Sequence, residues 1–153
     1  MTTNIFNDDF QDFIEALNTC EVDYILVGDY SVILHGYTRT TGDMDIWVRA
    51  NSENYKLLAH AFAVFGMPLF DMTEEKFLKI ADYDVFTFGR PPVSIDIITQ
   101  IKGLIFESAF ANAQWFAITE SLKVRVLVLN DLIIAKKAAG RNKDLDDLEH
   151  LQN

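Results

Sequence analysis

Apolar residues follow two periods along the chain, one typical of helices and one typical of strands. Between positions 6 and 17 they recur every three or four residues, which predicts an amphipathic helix. Over 43–48 they alternate with other residues, which predicts a strand with one apolar face. By the same reasoning, further helices are predicted over 30–35, over 104–112 and over 143–151. Three more are predicted to begin at polar residues: one capped by Asn51 or Ser52 and running to 66, one opened by Thr73, and one capped by Asn130 or Asp131 and running to 139. Further strands are predicted over 24–27, 85–88, 93–98 and 124–129.

The order of these elements predicts an α+β fold (mixed α/β), in which helices pack on a central mixed sheet. The turn Gly89-Arg90-Pro91-Pro92 predicts a hairpin of two strands, whereas other strands are separated by helices and need crossover connections. No internal repeat, low-complexity run or Pro/Gly/Ser-rich linker interrupts the pattern. We therefore expect residues 1–153 to form a single domain.

Composition and charge narrow the class of protein. Half of the 153 residues are hydrophobic and 24% are charged, which is an ordinary globular composition. The net charge of −10 disfavours non-specific binding to nucleic acid or to an anionic membrane. The single cysteine, Cys20, excludes an intrachain disulfide, and with three scattered histidines it excludes the usual Cys/His zinc sites. We expect a cytoplasmic protein, because residues 1–13 lack the pattern of a signal peptide. No apolar stretch approaches the roughly 18 residues of a membrane span.

The charge is unevenly distributed, with a basic segment at residues 120–143 in an otherwise acidic chain. This segment contains six basic and two acidic residues, whereas residues 1–119 contain seven basic and seventeen acidic ones. Its basic residues form either a solvated helix face or a local site for an anion such as a polyphosphate. We expect the aspartates that follow to cap and solvate the last helix, with an ion pair to the basic segment as the alternative; they are Asp144, Asp146 and Asp147.

Three aspartates are expected to converge on one side of the sheet. Asp43 and Asp45 are two apart on a predicted strand, so their side chains leave the same face roughly 7 Å apart. Asp96 lies in the strand over 93–98, which is otherwise suited to burial, and a charge there is costly unless it is paired or bound to a metal. If the two strands are neighbours, the carboxylates can hold Mg²⁺ for phosphoryl or nucleotidyl transfer. The alternative is a set of solvent-exposed strand positions.

The segment before these aspartates has the features of an anion-binding turn. Gly28 ends a strand just before a helix, where the backbone can come close to a phosphate. Ser31, in the first turn of that helix, can add a hydroxyl donor, and Arg39 in the following loop can reach a phosphate. A plain turn glycine and a surface arginine are the alternatives at Gly28 and Arg39.

Taken together, these residues resemble the DNA-polymerase-β-like nucleotidyltransferase superfamily. The pattern of that family is a strand ending in Gly-Gly or Gly-Ser, a helix, an Asp-x-Asp strand, and a third Asp on a later strand. It is matched in order by Gly28, Asp43, Asp45 and Asp96. The closer likeness is to small bacterial members, because the chain reads Val27-Gly28…His35-Gly36…Arg39-Thr40-Thr41-Gly42-Asp43-Met44-Asp45. The chain also resembles that group near its end, where it reads Arg141-Asn142-Lys143-Asp144-Leu145-Asp146-Asp147-Leu148.

The resemblance implies a nucleotidyltransferase fold and transfer of a nucleoside monophosphate from an NTP to a hydroxyl acceptor. It also implies dependence on Mg²⁺ or Mn²⁺, and some relatives are toxins of toxin–antitoxin or phage-defence systems. The expected metal ligands, which are also the catalytic residues, are Asp43, Asp45 and Asp96. The first two would bind both metal ions, and Asp96 would complete one site and help to activate the acceptor. The expected nucleotide contacts are Gly28, Ser31, Arg39 and, facing the triphosphate, Lys136 or Lys137.

Two departures from the family pattern leave alternatives open. Asp29 stands where the family has a second Gly or a Ser, and it weakens donor binding unless it points away and caps the helix. The chain also leaves little room for an acceptor-binding domain, so we expect a partner protein or a homodimer to supply that surface. The alternative function is a catalytically inert nucleotidyltransferase-fold binding or regulatory protein of a toxin–antitoxin-like pair, and a metal-dependent phosphohydrolase is a third. The acceptor can be a tRNA end, a protein hydroxyl or a small molecule.

Overall fold

The computed structural model describes residues 6–37, 42–90 and 93–152, and its centre is a six-stranded sheet. The helices in these ranges are α1 (Asp8–Thr19), α2 (Gly28–Leu34), α3 (Ser52–Phe65), α4 (Glu74–Leu78), α5 (Phe106–Asn112), α6 (Leu129–Ala139) and α7 (Asn142–Gln152). The strands are β1 (Tyr24–Val27), β2 (Asp43–Val48), β3 (Val85–Arg90), β4 (Val93–Ile98), β5 (Gln114–Ala117) and β6 (Lys123–Val126). None of the described helices has both the length and the apolar character needed to cross a membrane.

The sheet is mixed, which confirms the predicted α+β fold. Its strand order is β3-β4-β2-β1-β6-β5. The pairs β1–β2, β3–β4 and β5–β6 are antiparallel, whereas β1–β6 and β2–β4 are parallel. The two strands that carry the predicted aspartates, β2 and β4, are therefore neighbours, although three other elements separate them in the sequence.

Helices cover the two faces of the sheet and form two apolar cores. On the first face, α1, α3 and α4 contribute the fully buried side chains of Phe13, Phe62 and Phe77. On the second face, α5 and α6 contribute Ala109 and Leu132 to a smaller core. These helices therefore bury their apolar sides against the sheet, as their sequence period predicts.

Strand β2 follows the predicted alternation, and this alternation positions its aspartates. Met44, Ile46 and Val48 are completely buried in the first core. Trp47 is 1% exposed and belongs to the second core, so residues 43 and 45 share the second face with it. The second face therefore carries the aspartates of the expected site.

Two predictions about individual elements are wrong. We predicted that Asn130 or Asp131 caps α6, but the helix begins at Leu129 after Val128, and the N-cap side chain makes no hydrogen bond. Strand β5 was not predicted, because it lies at the edge of the sheet and its residues are mostly exposed, including Trp115 at 49%. The other predicted boundaries differ from the structure by up to three residues.

Candidate active site

Asp43, Asp45 and Asp96 lie on adjacent strands of the sheet. In the parallel pairing of β2 with β4, Asp45 is opposite Asp96 and Asp43 is opposite Ser94. On its other side, Asp45 is opposite Val27, the last residue of β1. Because paired residues in register direct their side chains to the same face, the three carboxylates lie on one face of the sheet, where β1 ends and β2 begins.

Hydroxyl groups donate hydrogen bonds to the carboxylates of Asp43 and Asp96. Ser94 Oγ donates a hydrogen bond to Asp43 Oδ1 at 2.6 Å, and Thr87 Oγ1 on β3 donates to Asp96 Oδ1 at 2.7 Å. Our sequence reasoning missed both hydroxyl residues. The signal available was their spacing, because Ser94 is two residues before Asp96 on one strand and Thr87 is opposite Asp96 across the hairpin.

The carboxyl group of Asp45 lies in surroundings that oppose its ionisation. Burial raises the pKa of Asp45 to about 7, and the charge of Asp96 and a hydrogen bond shared with it add to the shift. The charges of Asp29 and Asp43 act in the same direction. A carboxyl group with a raised pKa among like charges is frequent in functional sites, and a bound cation would remove this repulsion.

Gly28 brings the backbone so close to Asp45 that only glycine fits. Its φ is +69°, and a Cβ atom added there would lie 2.0 Å from Asp45 Oδ2. Ser31, which is buried, donates its hydroxyl hydrogen to the Gly28 carbonyl at 2.6 Å. The predicted turn at Gly28 is confirmed. We had expected the Ser31 hydroxyl to donate to a ligand, but it stabilises this turn instead.

Replacing Gly28 with Ala is expected to displace the Asp45 carboxylate. The added methyl group collides with Asp45, and a left-handed φ costs about 1 kcal/mol for a residue with a side chain. We expect Gly28→Ala to lower the free energy of unfolding by about 2–3 kcal/mol and to abolish Mn²⁺ binding. Chemical unfolding measures the first effect, and a Mn²⁺ titration followed by electron paramagnetic resonance measures the second.

Gly66→Ala is the matched control for this substitution. Gly66 has φ +90°, but no atom lies within 4 Å of a Cβ added there. The variant therefore introduces the backbone strain without the collision, and we expect a loss of about 1 kcal/mol with unchanged Mn²⁺ binding. Equal loss of Mn²⁺ binding in Gly28→Ala and Gly66→Ala would contradict a direct effect on Asp45.

A cavity of about 170 Å³ lies beside Gly28 and Asp45. Its apolar wall includes Val27, Ile98, Ile101, Leu127 and Leu132. Its charged side chains are Asp45, Lys136, Arg141 and Asp144. The volume is below the roughly 300–1,000 Å³ of typical ligand pockets, so the cavity can enclose only part of a molecule as large as a nucleotide.

Lys136 lines this cavity, but its ammonium group is bound by two aspartates. Its Nζ lies 3.3 Å from Asp144 Oδ1 and 2.9 Å from Asp147 Oδ2. The two aspartates are 0% and 1% exposed. The expectation that Asp144 and Asp147 solvate the last helix is therefore wrong, whereas the expected capping is confirmed for Asp144, which accepts a hydrogen bond from the backbone N–H of Arg141 at 3.1 Å. The alternative of an ion pair with the basic segment is also confirmed. This pairing joins α6 to α7 at the wall of the cavity.

Arg141, between α6 and α7, also binds Asp144. Its Nε donates to Asp144 Oδ2 at 2.6 Å, and its Nη2 donates to Oδ1 at 3.2 Å. Burial by itself raises the pKa of Asp144, but hydrogen bonds from Arg141 and Lys136 bring that pKa below its ordinary value. The hydrogen bond to Asp144 raises the pKa of Arg141, and the charges of Asp29 and Asp45 add to this shift. The guanidinium group is therefore within electrostatic reach of the aspartates.

Lys143, in the first turn of α7, lies 3.4 Å from Asp29 Oδ1. Asp29 follows Gly28 directly, and the N-cap position of α2 is Val27. Asp29 therefore does not take the capping position that one of our alternatives required, and its charge raises the pKa of Asp45 instead. Sequence reasoning had not assigned Lys143 to the site, although the charge distribution had identified the segment that contains it.

Two other nucleotide contacts, Lys137 and Arg39, were expected from the sequence. Lys137 is exposed on α6 and does not line the cavity. Arg39 lies outside the described residues. Nucleotide contacts by these two residues stay predictions from the sequence.

The three carboxylates have the chemistry of a divalent-metal site, but their side chains are not gathered around one point. Across residues 6–37, 42–90 and 93–152, no three His, Cys, Asp or Glu side chains form a group that could hold a metal ion. Asp43 is bonded to Ser94, and Asp45 shares a hydrogen bond with Asp96. The donor set still fits a hard cation, because carboxylate oxygens are the ligands that Mg²⁺ prefers. Binding of one ion by all three carboxylates therefore requires their side chains to rotate.

Comparison with solved structures shows that the chain has a nucleotidyltransferase fold. The lincosamide antibiotic adenylyltransferase LnuA, solved with lincomycin bound, matches with a TM-score of 0.58 and 13% sequence identity over 99% of both chains. A proposed nucleotidyltransferase from Thermotoga maritima matches with a TM-score of 0.55 and 14% identity, over 94% of this chain and 90% of that one. No protein-family model matches the sequence, and no curated protein matches it. At these identities the likeness establishes the fold alone, and it confirms the fold that the resemblance implied.

Proposed function

We propose that this protein is a metal-dependent nucleotidyltransferase that moves a nucleoside monophosphate from an NTP to a hydroxyl acceptor. The main support for the proposal is the register of β2 and β4, which places Asp45 opposite Asp96. Asp43 is two residues from Asp45 on the same strand. Gly28 lies directly against the Asp45 carboxylate. The family resemblance and the fold of the two solved nucleotidyltransferases support the same class of reaction.

The three aspartates share one role in the proposed reaction, and Asp96 has a second role. Asp43, Asp45 and Asp96 would hold Mg²⁺ or Mn²⁺, which would supply positive charge to stabilise the attacking and leaving oxygens. The acceptor hydroxyl attacks the α-phosphorus, the bond from this phosphorus to the bridging oxygen breaks, and pyrophosphate leaves. Asp96 accepts the proton of the hydroxyl group. Thr87, which donates to Asp96 Oδ1 at 2.7 Å, orients that carboxylate.

The nucleotide is proposed to bind along the cavity beside Gly28. Arg141 lines this cavity and lies within electrostatic reach of Asp45, so it is well placed to contact a phosphate. Lys136 stabilises the cavity wall through Asp144 and Asp147, and this pairing opposes the direct contact with the triphosphate that we expected from the sequence.

The acceptor is proposed to be a molecule without strong negative charge. The net charge of −10 disfavours a long nucleic acid. LnuA is a lincosamide antibiotic adenylyltransferase, and its structure contains lincomycin. A small molecule or a protein hydroxyl is therefore favoured over a tRNA end.

A transfer assay tests the proposal directly. NTPs labelled at the α-phosphate are incubated with Mg²⁺, the protein and a panel of acceptors that includes a lincosamide, tRNA and proteins that co-purify with the chain. Label on an acceptor with an equal amount of pyrophosphate, both lost in Asp96→Asn, is the expected result. Release of free nucleotide or phosphate, with no labelled acceptor, would instead support a phosphohydrolase.

The second candidate function is a catalytically inert binding or regulatory protein of a toxin–antitoxin-like pair, and Asp29 favours it. The Asp29 carboxylate adds negative charge close to Asp45, where the triphosphate of a donor is expected. Absence of NTP binding, together with a stable complex with a co-expressed partner protein, would support this candidate over the transferase.

A further inference from the structure

An ion pair between Asp29 and Lys143 joins α7 to the turn at Gly28. The Lys143 Nζ lies 3.4 Å from Asp29 Oδ1, and the two side chains are 46% and 20% exposed. Asp29 is close enough to the aspartates for its charge to act on Asp45. The Lys143 ammonium group therefore lies near the place where the donor phosphates are expected, but it is bound to a carboxylate.

The basic side chains that surround the site are matched by aspartates. Lys136 and Arg141 both bind the buried Asp144, and Lys143 binds Asp29. In the part of the chain that the structure describes, these pairs leave little net positive charge beside the carboxylates. A triphosphate can therefore reach the exposed part of the Arg141 guanidinium group, but it gains a lysine ammonium partner from this group only when one of the pairs opens.

The Asp29–Lys143 pair is the one that opens most easily. Asp144 is completely buried and accepts from Arg141 at 2.6 Å, so loss of its partners would leave an uncompensated buried charge. The contact between Lys143 and Asp29 is long for a charge-assisted hydrogen bond and is partly exposed to solvent. Exposed ion pairs of this kind contribute little to stability, so a more highly charged phosphate can replace the carboxylate.

We propose that Lys143 is a phosphate-binding residue and that Asp29 competes with the donor triphosphate for it. When the NTP binds, the Lys143 ammonium group moves from the Asp29 carboxylate to a phosphate oxygen. Asp29 weakens donor binding in two ways, because it retains Lys143 and because its charge repels the phosphates. This inference rests on the proposed function, and it explains how a chain with an aspartate after the turn glycine can still bind an NTP.

Calorimetric titration of the protein with Mg²⁺ and each common NTP tests this proposal. We expect Asp29→Asn to lower the Kd about fivefold to tenfold, because it frees Lys143 and removes the repulsion. We expect Lys143→Gln to raise the Kd by about the same factor. Lys123→Gln is the matched control, since it removes an exposed lysine from the first residue of β6, at the opposite end of the sheet from the site. Its Kd should stay within about twofold of the wild-type value.

A purely structural role for the ion pair would give a different result. Asp29→Asn and Lys143→Gln would then lower the melting temperature by similar amounts and leave the Kd unchanged, which would contradict the proposal. Hydrogen–deuterium exchange adds a second measurement. Addition of NTP is expected to change exchange in residues 142–152 of the wild type, and to change it much less in Lys143→Gln.

Failure of this proposal and failure of the proposed function are distinguishable. If the wild type binds an NTP and neither substitution changes the Kd, Lys143 is not a phosphate ligand and the proposed function stands. If neither the wild type nor Asp29→Asn binds any NTP, both proposals are overturned. If only Asp29→Asn binds, the result supports competition by Asp29 but overturns the proposed transferase function of the wild type, because Asp29 then prevents donor binding.

Discussion

Replacing Asp45 with Asn is expected to abolish nucleotidyl transfer and to make the metal-free protein more stable above neutral pH. Transfer is lost because Asp45 lies beside Asp96 at the centre of the proposed metal site, and asparagine lacks the negative charge that a cation requires. We expect a reduction of about 1000-fold, which corresponds to about 4 kcal/mol of activation free energy. The transfer assay described above measures this effect.

The gain in stability follows from the raised pKa of Asp45. Burial and the charge of Asp96 raise this pKa from 3.8 to about 7, so the ionised carboxylate favours the unfolded chain. The contribution of protonated Asp45 to the free energy of unfolding of the wild type is complete below about pH 4. It is lost progressively as the pH rises from there through about 7. Since one pKa unit corresponds to about 1.4 kcal/mol, Asp45→Asn should raise the free energy of unfolding by about 2–4 kcal/mol at about pH 8.

Urea unfolding at several pH values, without divalent cations, measures this gain. The difference between Asp45→Asn and the wild type should shrink as the pH falls toward about 4 and disappear below about pH 3, where the wild-type carboxyl group is protonated in both the folded and the unfolded state. Mn²⁺ should stabilise the wild type and have little effect on the variant. Asp71→Asn is the control and should match the wild type, because Asp71 is exposed and its charge is not among those that raise the pKa of Asp45. A less stable Asp45→Asn at high pH would contradict the repulsion inferred around Asp45.

Replacing Lys136 with Met is expected to cause the largest loss of stability among these substitutions. Lys136 is buried, and it pairs with Asp144 and Asp147, which are buried too. Methionine fills a similar volume but leaves two buried carboxylates without this cation. Removal of one partner from a buried ion pair costs about 3–5 kcal/mol, so α7 should lose much of its attachment to α6. Chemical unfolding monitored by circular dichroism measures the effect.

Lys137→Met is the matched control, because it makes the same change at the next position on an exposed side chain. Its free energy of unfolding should stay within about 0.5 kcal/mol of the wild type. Adding Asp147→Asn to Lys136→Met should recover part of the lost stability, since it removes one of the two buried carboxylates that have lost the Lys136 cation. Similar stability of Lys136→Met and Lys137→Met would contradict the buried ion-pair network.

Much of the fold could be predicted from local sequence patterns. Asn51 and Thr73 cap α3 and α4 as expected, each accepting a hydrogen bond from the backbone three residues later, and Gly66 ends α3 in a left-handed conformation. These features depend on neighbouring residues. Strand β5 could not be predicted in this way, because Trp115 and its neighbours form an exposed edge and owe their strand conformation to pairing with β6.

The candidate site was predicted only in part, for the same physical reason. The spacing of Asp43 and Asp45 places both on one face of a strand, and Asp96 stood out as a charge in an apolar strand. The pairing of Lys136 depends on how α6 packs against α7, and the pairing of Lys143 with Asp29 depends on how α7 is placed beside α2. Contacts between different helices leave no periodic signal. The sequence therefore offered the aspartates of α7 as partners of the basic segment only as an alternative, and it did not identify Asp29 as the partner of Lys143.

The central claim is that Asp43, Asp45 and Asp96 form a metal-dependent nucleotide site. Its most direct test is calorimetric titration of each common NTP, with and without Mn²⁺, into the wild type and Asp43→Asn. We expect the wild type to bind at least one NTP only when Mn²⁺ is present, and Asp43→Asn to lose that binding. Metal-independent binding, equal binding by Asp43→Asn, or no binding by the wild type would contradict the claim.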